Sequence, residues 1–185
     1  MCESNNYLPG KYVVTGGSGF GKTALIKEFD KVGLITIPET TLDYIKNFSK
    51  GDPSKLPWNN RPEFQKIIVN QRIKDYFFAP IDKPSFFDRG IPDEIAYYLG
   101  YGLKPSNKCL EASINLRYDQ IFVLPPWEEI YVQDEFRPFT FEESIRIHHL
   151  VGEAYLKLGY SLIEVPRVGV EKRLNFVLNS ISQKV

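Results

Sequence analysis

The sequence has few cysteines, no net charge and no long hydrophobic run. Its two cysteines among 185 residues, Cys2 and Cys109, are too few for a disulfide framework and lack metal-site spacing. The 23 Lys and Arg residues balance the 23 Asp and Glu residues, so no net field favours nucleic acid or an anionic membrane. No apolar stretch approaches the roughly 18 residues of a membrane helix, and residues 1–6 carry no signal-peptide core. We therefore expect a cytoplasmic protein without nucleic-acid or membrane partners.

Short apolar strands alternate with helical patterns along the chain, whose length favours one domain over residues 1–185. The five predicted strands are 12–15, 34–37, 85–88, 120–124 and 161–165. Because the strands are almost continuously apolar, this alternation predicts an α/β fold, a five-stranded parallel sheet with helices on both faces. Ligands of such sheets bind beyond the carboxyl ends of the strands.

Capping patterns set the expected helix boundaries. Asn60 is followed three residues later by Glu63, and Thr140 by Glu143, so each pair predicts the start of a helix. The predicted helices cover about 22–33, 42–48, 60–80, 92–101, 140–159 and 170–182.

The strongest motif lies between the first strand and the first helix. It reads G-x-x-x-x-G-K-T and consists of Gly16, Gly17, Ser18, Gly19, Phe20, Gly21, Lys22 and Thr23. In this strand–loop–helix context, backbone N–H groups surround phosphate oxygens, Lys22 reaches the β and γ phosphates, and the Thr23 hydroxyl binds Mg²⁺. The sequence therefore predicts a nucleoside triphosphate site for ATP and Mg²⁺.

Charged residues follow the third strand. Asp88 could hold Mg²⁺ or accept a proton, or it could cap the helix that begins near Pro92. Arg89 could reach phosphates from the same loop, or form a structural salt bridge.

A second carboxylate, Glu39, ends the second strand on the same edge of the sheet. There it could orient or deprotonate an acceptor hydroxyl, or it could simply lie near the N-terminus of the next helix. The roles of Asp88 and Glu39 could also be exchanged.

An irregular segment of about 125–140 predicts a lid, and it contains Arg137 beside Asp134. Arg137 could stabilise a transferring phosphoryl group as an arginine finger in cis, or form an exposed ion pair. His148 and His149 are adjacent on a predicted helix and favour packing or surface roles over metal binding. For the aromatic residues Trp58, Phe64 and Tyr97, core packing is favoured over an acceptor pocket.

These features together resemble the small P-loop ATPases grouped as "AAA domain" proteins, and more distantly the ribosylnicotinamide kinase domain of bacterial NAD regulators and the nucleoside and thymidylate kinases. Besides the phosphate loop, the resemblance rests on Ile37-Pro38-Glu39, Phe87-Asp88-Arg89-Gly90 with Asp93 and Tyr97, Arg117-Tyr118-Asp119, Asp134-Glu135-Phe136-Arg137, Gly159-Tyr160 and Val165-Pro166. It implies a kinase-like P-loop fold with an acceptor side between strands two and three and a lid carrying Arg137.

Two functions follow as hypotheses. The first is transfer of the ATP γ-phosphate to a small acceptor, nucleoside-like or another metabolite, with Lys22, Glu39, Asp88, Arg89 and Arg137 as catalytic residues. The second is an ATP- or GTP-dependent switch with slow hydrolysis, although a guanine-specifying Asn/Thr-Lys-x-Asp tetrad is absent. The chain is too short for the added helical domain of ring-forming AAA machines, and the sequence does not indicate an oligomeric state.

Overall fold

The computed structural model describes residues 7–39, 41, 60–132 and 139–182. The strands are β1 (Gly10–Thr15), β2 (Ile35–Ile37), β3 (Pro84–Asp88), β4 (Gln120–Val123) and β5 (Leu162–Glu164). They form one parallel sheet in the order β2-β3-β1-β4-β5. The predicted five-stranded parallel sheet is confirmed, whereas the extent of the domain over 1–185 stays a prediction.

Six helices surround the sheet in the described part of the chain. They are α1 (Lys22–Lys31), α2 (Arg61–Phe78), α3 (Ile91–Gly100), α4 (Asn107–Asn115), α5 (Phe141–Lys157) and α6 (Val170–Ser180), with a 3-10 turn at Glu128–Ile130. Helix α4 was not predicted; it is short, and its start depends on one contact in which the Ser106 hydroxyl accepts a hydrogen bond from the Cys109 backbone N–H. The predicted helix 42–48 lies outside the described residues.

The helix boundaries follow the predicted caps. The Asn60 side chain accepts from the Glu63 N–H at 3.3 Å, and Thr140 and Glu143 exchange both bonds of a capping box. After the C-terminal ends of α1 and α5, Gly33 and Gly159 adopt φ values of 78° and 79°. These positions favour glycine because a Cβ strains the left-handed region.

Alternate residues of β1 pack on opposite faces of the sheet. Tyr12 and Val14 belong to an apolar cluster with α1 and α6, whereas Val13 belongs to a second cluster with α3 and α5. Both faces are therefore covered, which explains why the strands are apolar without alternation.

The topology places the site beside β1. The chain passes from β1 to β2 and β3 on one side, and later to β4 and β5 on the other. A crevice opens where the strand order reverses, at the carboxyl end of β1, and this is where the phosphate-loop motif begins. In the described ranges no helix has the length and hydropathy that crossing a membrane requires.

Candidate functional site

The loop between β1 and α1 has no room for side chains at its first glycines. Gly16 adopts φ 133°, and a Cβ there would lie 2.5 Å from the Leu124 carbonyl oxygen. A Cβ on Gly17 would lie 2.4 Å from both the Phe20 ring and the Ser144 carbonyl oxygen. The backbone can pack this closely against its neighbours only because these residues are glycines, which fits the tight turn of a phosphate-binding loop.

Lys22 lies across this loop. Its side-chain Nζ donates to the Gly17 carbonyl at 2.6 Å, and the residue is only 4% exposed. Burial, followed by the nearby Arg89 guanidinium, lowers the pKa of Lys22 to about 7. Lys22 belongs to none of the apolar clusters, and its neighbours are the loop backbone and charged groups.

Thr23 and Asp88 face each other at the start of α1 and the end of β3. The Thr23 hydroxyl donates to Asp88 Oδ2 at 3.3 Å, while Oδ1 of the same carboxylate is buried and has no hydrogen-bond partner among the described residues. Burial and the Glu39 carboxylate raise the pKa of Asp88 to about 6. A hydroxyl and a carboxylate with a spare oxygen are the hard ligands that Mg²⁺ prefers.

No group of three or more His, Cys, Asp or Glu side chains that could hold a metal occurs in the ranges described. The Thr23 and Asp88 pair therefore fits Mg²⁺ shared with phosphate oxygens and water, which is the usual arrangement for this ion.

Arg89 bridges the phosphate loop and the second strand. Its Nη1 donates to the Gly16 carbonyl at 2.8 Å, and its Nε pairs with Glu39 Oε1 at 3.1 Å. It is also the only described non-glycine residue with positive φ, at 73°. Such a backbone costs about 1–3 kcal/mol and persists where the surroundings enforce it, often at functional sites. Of the two roles that the sequence allowed for Arg89, the structure contains the salt bridge, and a phosphate contact stays a prediction.

Glu39 remains ionised beside this guanidinium. Burial alone would raise the pKa of Glu39, but Arg89 and then Lys22 hold it below its ordinary value. The side chain is 17% exposed, so it can meet a ligand. The helix that could have held Glu39 at its N-terminus was predicted at 42–48, outside the described residues.

Asp93 is the carboxylate that caps α3, and sequence reasoning did not assign it a role in the site. It is fully buried and accepts from the Gly90 N–H at 2.9 Å, the Thr15 hydroxyl at 2.5 Å and the Tyr155 hydroxyl at 2.7 Å. Asp88 therefore does not cap this helix, since Gly90 occupies the cap position. The position of Asp93 in the first helical turn was the available signal.

A second buried ion pair supports the same turn from α2. Arg72 Nε pairs with Glu94 Oε1 at 2.8 Å, and its Nη1 donates to the Arg89 carbonyl at 3.2 Å. Both side chains are at most 3% exposed. The pair joins residues from different helices, so no local pattern in the sequence could reveal it.

The described part of the predicted lid covers the phosphate loop. The Tyr131 ring packs on Gly19, and a Cβ on that residue would lie 2.5 Å from the ring. The Tyr131 hydroxyl donates to the Phe139 carbonyl. Arg137 and its neighbour Asp134 lie outside the described residues, so the arginine-finger assignment stays a prediction.

Several other side chains have packing roles. Phe20 is buried against Phe141 and His148, so its side chain packs while its backbone belongs to the loop. Phe64 is buried, whereas Tyr97 lies 5.3 Å from the Arg89 guanidinium and so borders the site. Trp58 lies outside the described residues.

A glycine loop between a central parallel strand and a helix defines the class of P-loop nucleotide-binding folds. Within that class, a family model described as "AAA domain" matches residues 11–173, and the chain belongs to this family. No curated protein matches the chain by sequence.

Two kinases are among the solved structures with a similar fold. Deoxyadenosine kinase from M. mycoides, solved with dCMP and dCDP, has a TM-score of 0.65 at 15% identity over 92% of this chain and 97% of that one. Thymidylate kinase from Ehrlichia chaffeensis has a TM-score of 0.60 at 16% identity over 93% and 98%. At these identities the likeness shows a kinase-like P-loop fold, and the predicted fold class is confirmed.

The NadR protein in complex with NR has a TM-score of 0.68 at 17% identity. The match covers 96% of this chain and 52% of NadR, so this chain spans about half of that protein. The three families that the sequence resembled are therefore the families found.

Proposed function

We propose that this protein transfers the γ-phosphoryl group of ATP to a hydroxyl group of a small acceptor, with Mg²⁺. The observation that carries the proposal is the pair formed by Arg89 and Glu39, with Arg89 also bonded to the Gly16 carbonyl of the phosphate loop. The Arg89 side chain thus connects two parts of the site. One is the loop in which phosphate would bind, and the other is a carboxylate that could accept a hydrogen bond from the acceptor hydroxyl. A transferase requires this juxtaposition, whereas a pure switch does not.

On the nucleotide side, the loop glycines and Lys22 bind the phosphates, and Thr23 and Asp88 would hold the metal ion. The Mg²⁺ ion would neutralise part of the negative charge on the β and γ phosphates. Asp88 suits the metal because its Oδ1 is buried and has no hydrogen-bond partner. A bound cation would favour the ionised carboxylate and so oppose the rise in pKa that burial and Glu39 cause.

On the acceptor side, Glu39 orients the hydroxyl and accepts its proton, while Arg89 neutralises developing charge. The pKa of Glu39 is lowered and that of Asp88 is raised, so at neutral pH a larger fraction of Glu39 than of Asp88 is ionised. This asymmetry favours Glu39 as the residue that meets the acceptor.

The charge balance favours an uncharged acceptor. Arg89 is paired with Glu39 and Arg72 with Glu94, and Arg61 stacks on the Tyr101 ring at 3.7 Å. Among these three described arginines on the acceptor side, Arg61 is the one that has no described carboxylate partner and could bind a phosphate group on the acceptor. A nucleoside-like alcohol fits better than a nucleotide, in line with the deoxyadenosine kinase fold and with NR bound to NadR.

A transfer screen tests the proposal. The protein is incubated with Mg²⁺ and γ-labelled ATP, or GTP in parallel, and with nucleosides, nucleotides, sugars or vitamins; water is the control acceptor. We expect label on one class of neutral hydroxyl compound at a rate well above hydrolysis. Slow hydrolysis alone would instead support the nucleotide-dependent switch.

A substitution at Glu39 tests the residue that carries the argument. Glu39→Gln keeps the shape and removes the charge, so we expect turnover to fall about 10²–10⁴-fold with ATP affinity within a few-fold of wild type. Glu153→Gln on α5, where the side chain is 58% exposed, is the control and should behave as wild type. Unchanged turnover in Glu39→Gln would reduce Glu39 to a structural partner of Arg89.

A further inference from the structure

Arg173 lies in the first turn of α6 and is buried against the phosphate loop. The residue is 6% exposed, and its Nη1 lies 2.6 Å from the position that a Cβ on Gly21 would occupy. Gly21 directly precedes Lys22, so the guanidinium contacts the end of the loop from which α1 begins. The guanidinium also lies over the Trp127 ring, whose centroid is 5.4 Å away.

This guanidinium has no anionic partner among the residues that the structure describes. None of the described carboxylates lies within ion-pair distance of it, and its Nε is buried without a hydrogen-bond partner. Burial lowers the pKa of Arg173, and no neighbouring carboxylate opposes the shift. The buried arginines of the acceptor side differ, because Arg72 pairs with Glu94 and Arg89 with Glu39.

A buried cation without an anion destabilises a fold, so such a group is expected to have a counter-charge in the functional state. The neutral Trp127 ring supplies only a weak cation–π contact. The anion expected beside Gly21 is the phosphate chain of the nucleotide, because the loop presents its N–H groups there.

We propose that Arg173 is a nucleotide-binding residue whose guanidinium is the counter-charge of the bound triphosphate chain. The inference rests on the proposed binding of a nucleoside triphosphate, and it adds a cation from α6 to the loop and Lys22. Because the charge is unpaired before binding, Arg173 contributes to affinity and not to the stability of the free protein.

The test compares Arg173→Met, which keeps the length of the stem and removes the charge, with Arg167→Met. Arg167 is exposed in the loop before α6, so its variant has the same change in net charge without a buried cation. Arg173→Gln is a second uncharged variant. Thermal unfolding of the free proteins is measured, and affinities for Mg²⁺–ATP and for inorganic tripolyphosphate are determined by calorimetric titration.

We expect both Arg173 variants to unfold at or above the wild-type temperature and to lose about 10–100-fold in affinity for ATP and tripolyphosphate alike. Arg167→Met should match wild type in every measurement. Wild-type affinity in the Arg173 variants, or variants that unfold well below wild type, would overturn the inference and leave the proposed function standing. Weaker ATP binding with unchanged tripolyphosphate binding would overturn it as well, because the contact would then be to the base. A wild-type protein that binds no triphosphate would overturn the proposed function, and the inference with it.

Discussion

The two sides of the phosphate loop differ in how their charges are paired. On the acceptor side, described buried charges meet opposite charges: Arg72 meets Glu94 and Arg89 meets Glu39. On the nucleotide side, Arg173 has no carboxylate partner in the described ranges, and Oδ1 of Asp88 accepts no hydrogen bond from a residue in those ranges. Each of these two guanidinium groups on the acceptor side thus has a carboxylate partner, although Arg72 Nη2 is buried without a hydrogen bond to a described residue. The nucleotide side differs, because the described residues provide no carboxylate for its buried cation.

Under the proposed function, this difference corresponds to the ligand that each side would receive. Unpaired buried charges are tolerated where a ligand supplies the opposite charge, and a nucleotide with Mg²⁺ brings both an anion and a cation. A side whose charges already neutralise one another favours an acceptor that brings none.

The largest expected effect is on stability and comes from breaking a pair on the acceptor side. Arg72→Met should lower the free energy of unfolding by about 3–5 kcal/mol, because it leaves Glu94 buried without its partner. Denaturant unfolding measures the loss. Arg173→Met is the matched variant, since it also removes a buried guanidinium but leaves no carboxylate behind. Equal losses in the two variants would remove the distinction between the sides.

The next effect concerns Arg137 in the predicted lid. If Arg137 meets charge that develops mainly in the transition state, Arg137→Ala should lose at least about a hundredfold in turnover while ATP affinity stays within a few-fold of wild type. Single-turnover transfer assays and calorimetric titration separate the two quantities. The exposed Arg146→Ala on α5 serves as control. Normal turnover would make Arg137 a surface ion pair and would favour the switch hypothesis.

Lys22→Ala should weaken ATP binding by about 10–100-fold, the range of a lost charged hydrogen bond. The fold should survive because Lys22 contacts the Gly17 carbonyl and none of the apolar clusters. Calorimetric titration gives the affinity and circular dichroism the fold, with the exposed Lys27→Ala on α1 as control. A folded variant with wild-type affinity would count strongly against the proposed phosphate cradle.

The last prediction uses pH to test the comparison between the two sides of the loop. The folded-state pKa of Asp88, about 6, lies above its ordinary value of 3.8, so its ionised form destabilises the free protein as pH rises through this window. Asp88→Asn should therefore raise the free energy of unfolding by about 1–3 kcal/mol at pH 7, and by much less near pH 4. Denaturant unfolding at the two pH values tests this. No gain at pH 7 would show that the carboxylate is already compensated without a metal ion.

Much of the fold was predictable because its signals are local. The strand runs, the Asn60 and Thr140 caps and the glycine loop each depend on residues within a few positions of one another, so pattern and spacing suffice. Helix α4 was missed because it has only 9 residues and its cap, Ser106, is followed three residues later by Cys109 and not by the Glu or Gln of a capping box.

Outside the phosphate loop, the candidate site was predictable only where a side chain lies at or just after the end of a strand. Glu39 and Asp88 were identified in this way, since parallel strands place their carboxyl ends on one edge of the sheet. Asp93 and Arg173 were not, because their contacts join elements far apart in the sequence, from Asp93 to Thr15 and from Arg173 to Gly21.

The sequence by itself determined the α/β class, the phosphate loop and the acids at its edge, because backbone conformation there depends on neighbouring residues. Only the tertiary structure decided which charges are paired. Arg72, Arg89 and Arg173 are alike as residues, yet two have carboxylate partners and the third has none within the described chain. The pairing of a buried charge depends on what folding brings within about 4 Å of it, and distance in space is not encoded by spacing along the chain.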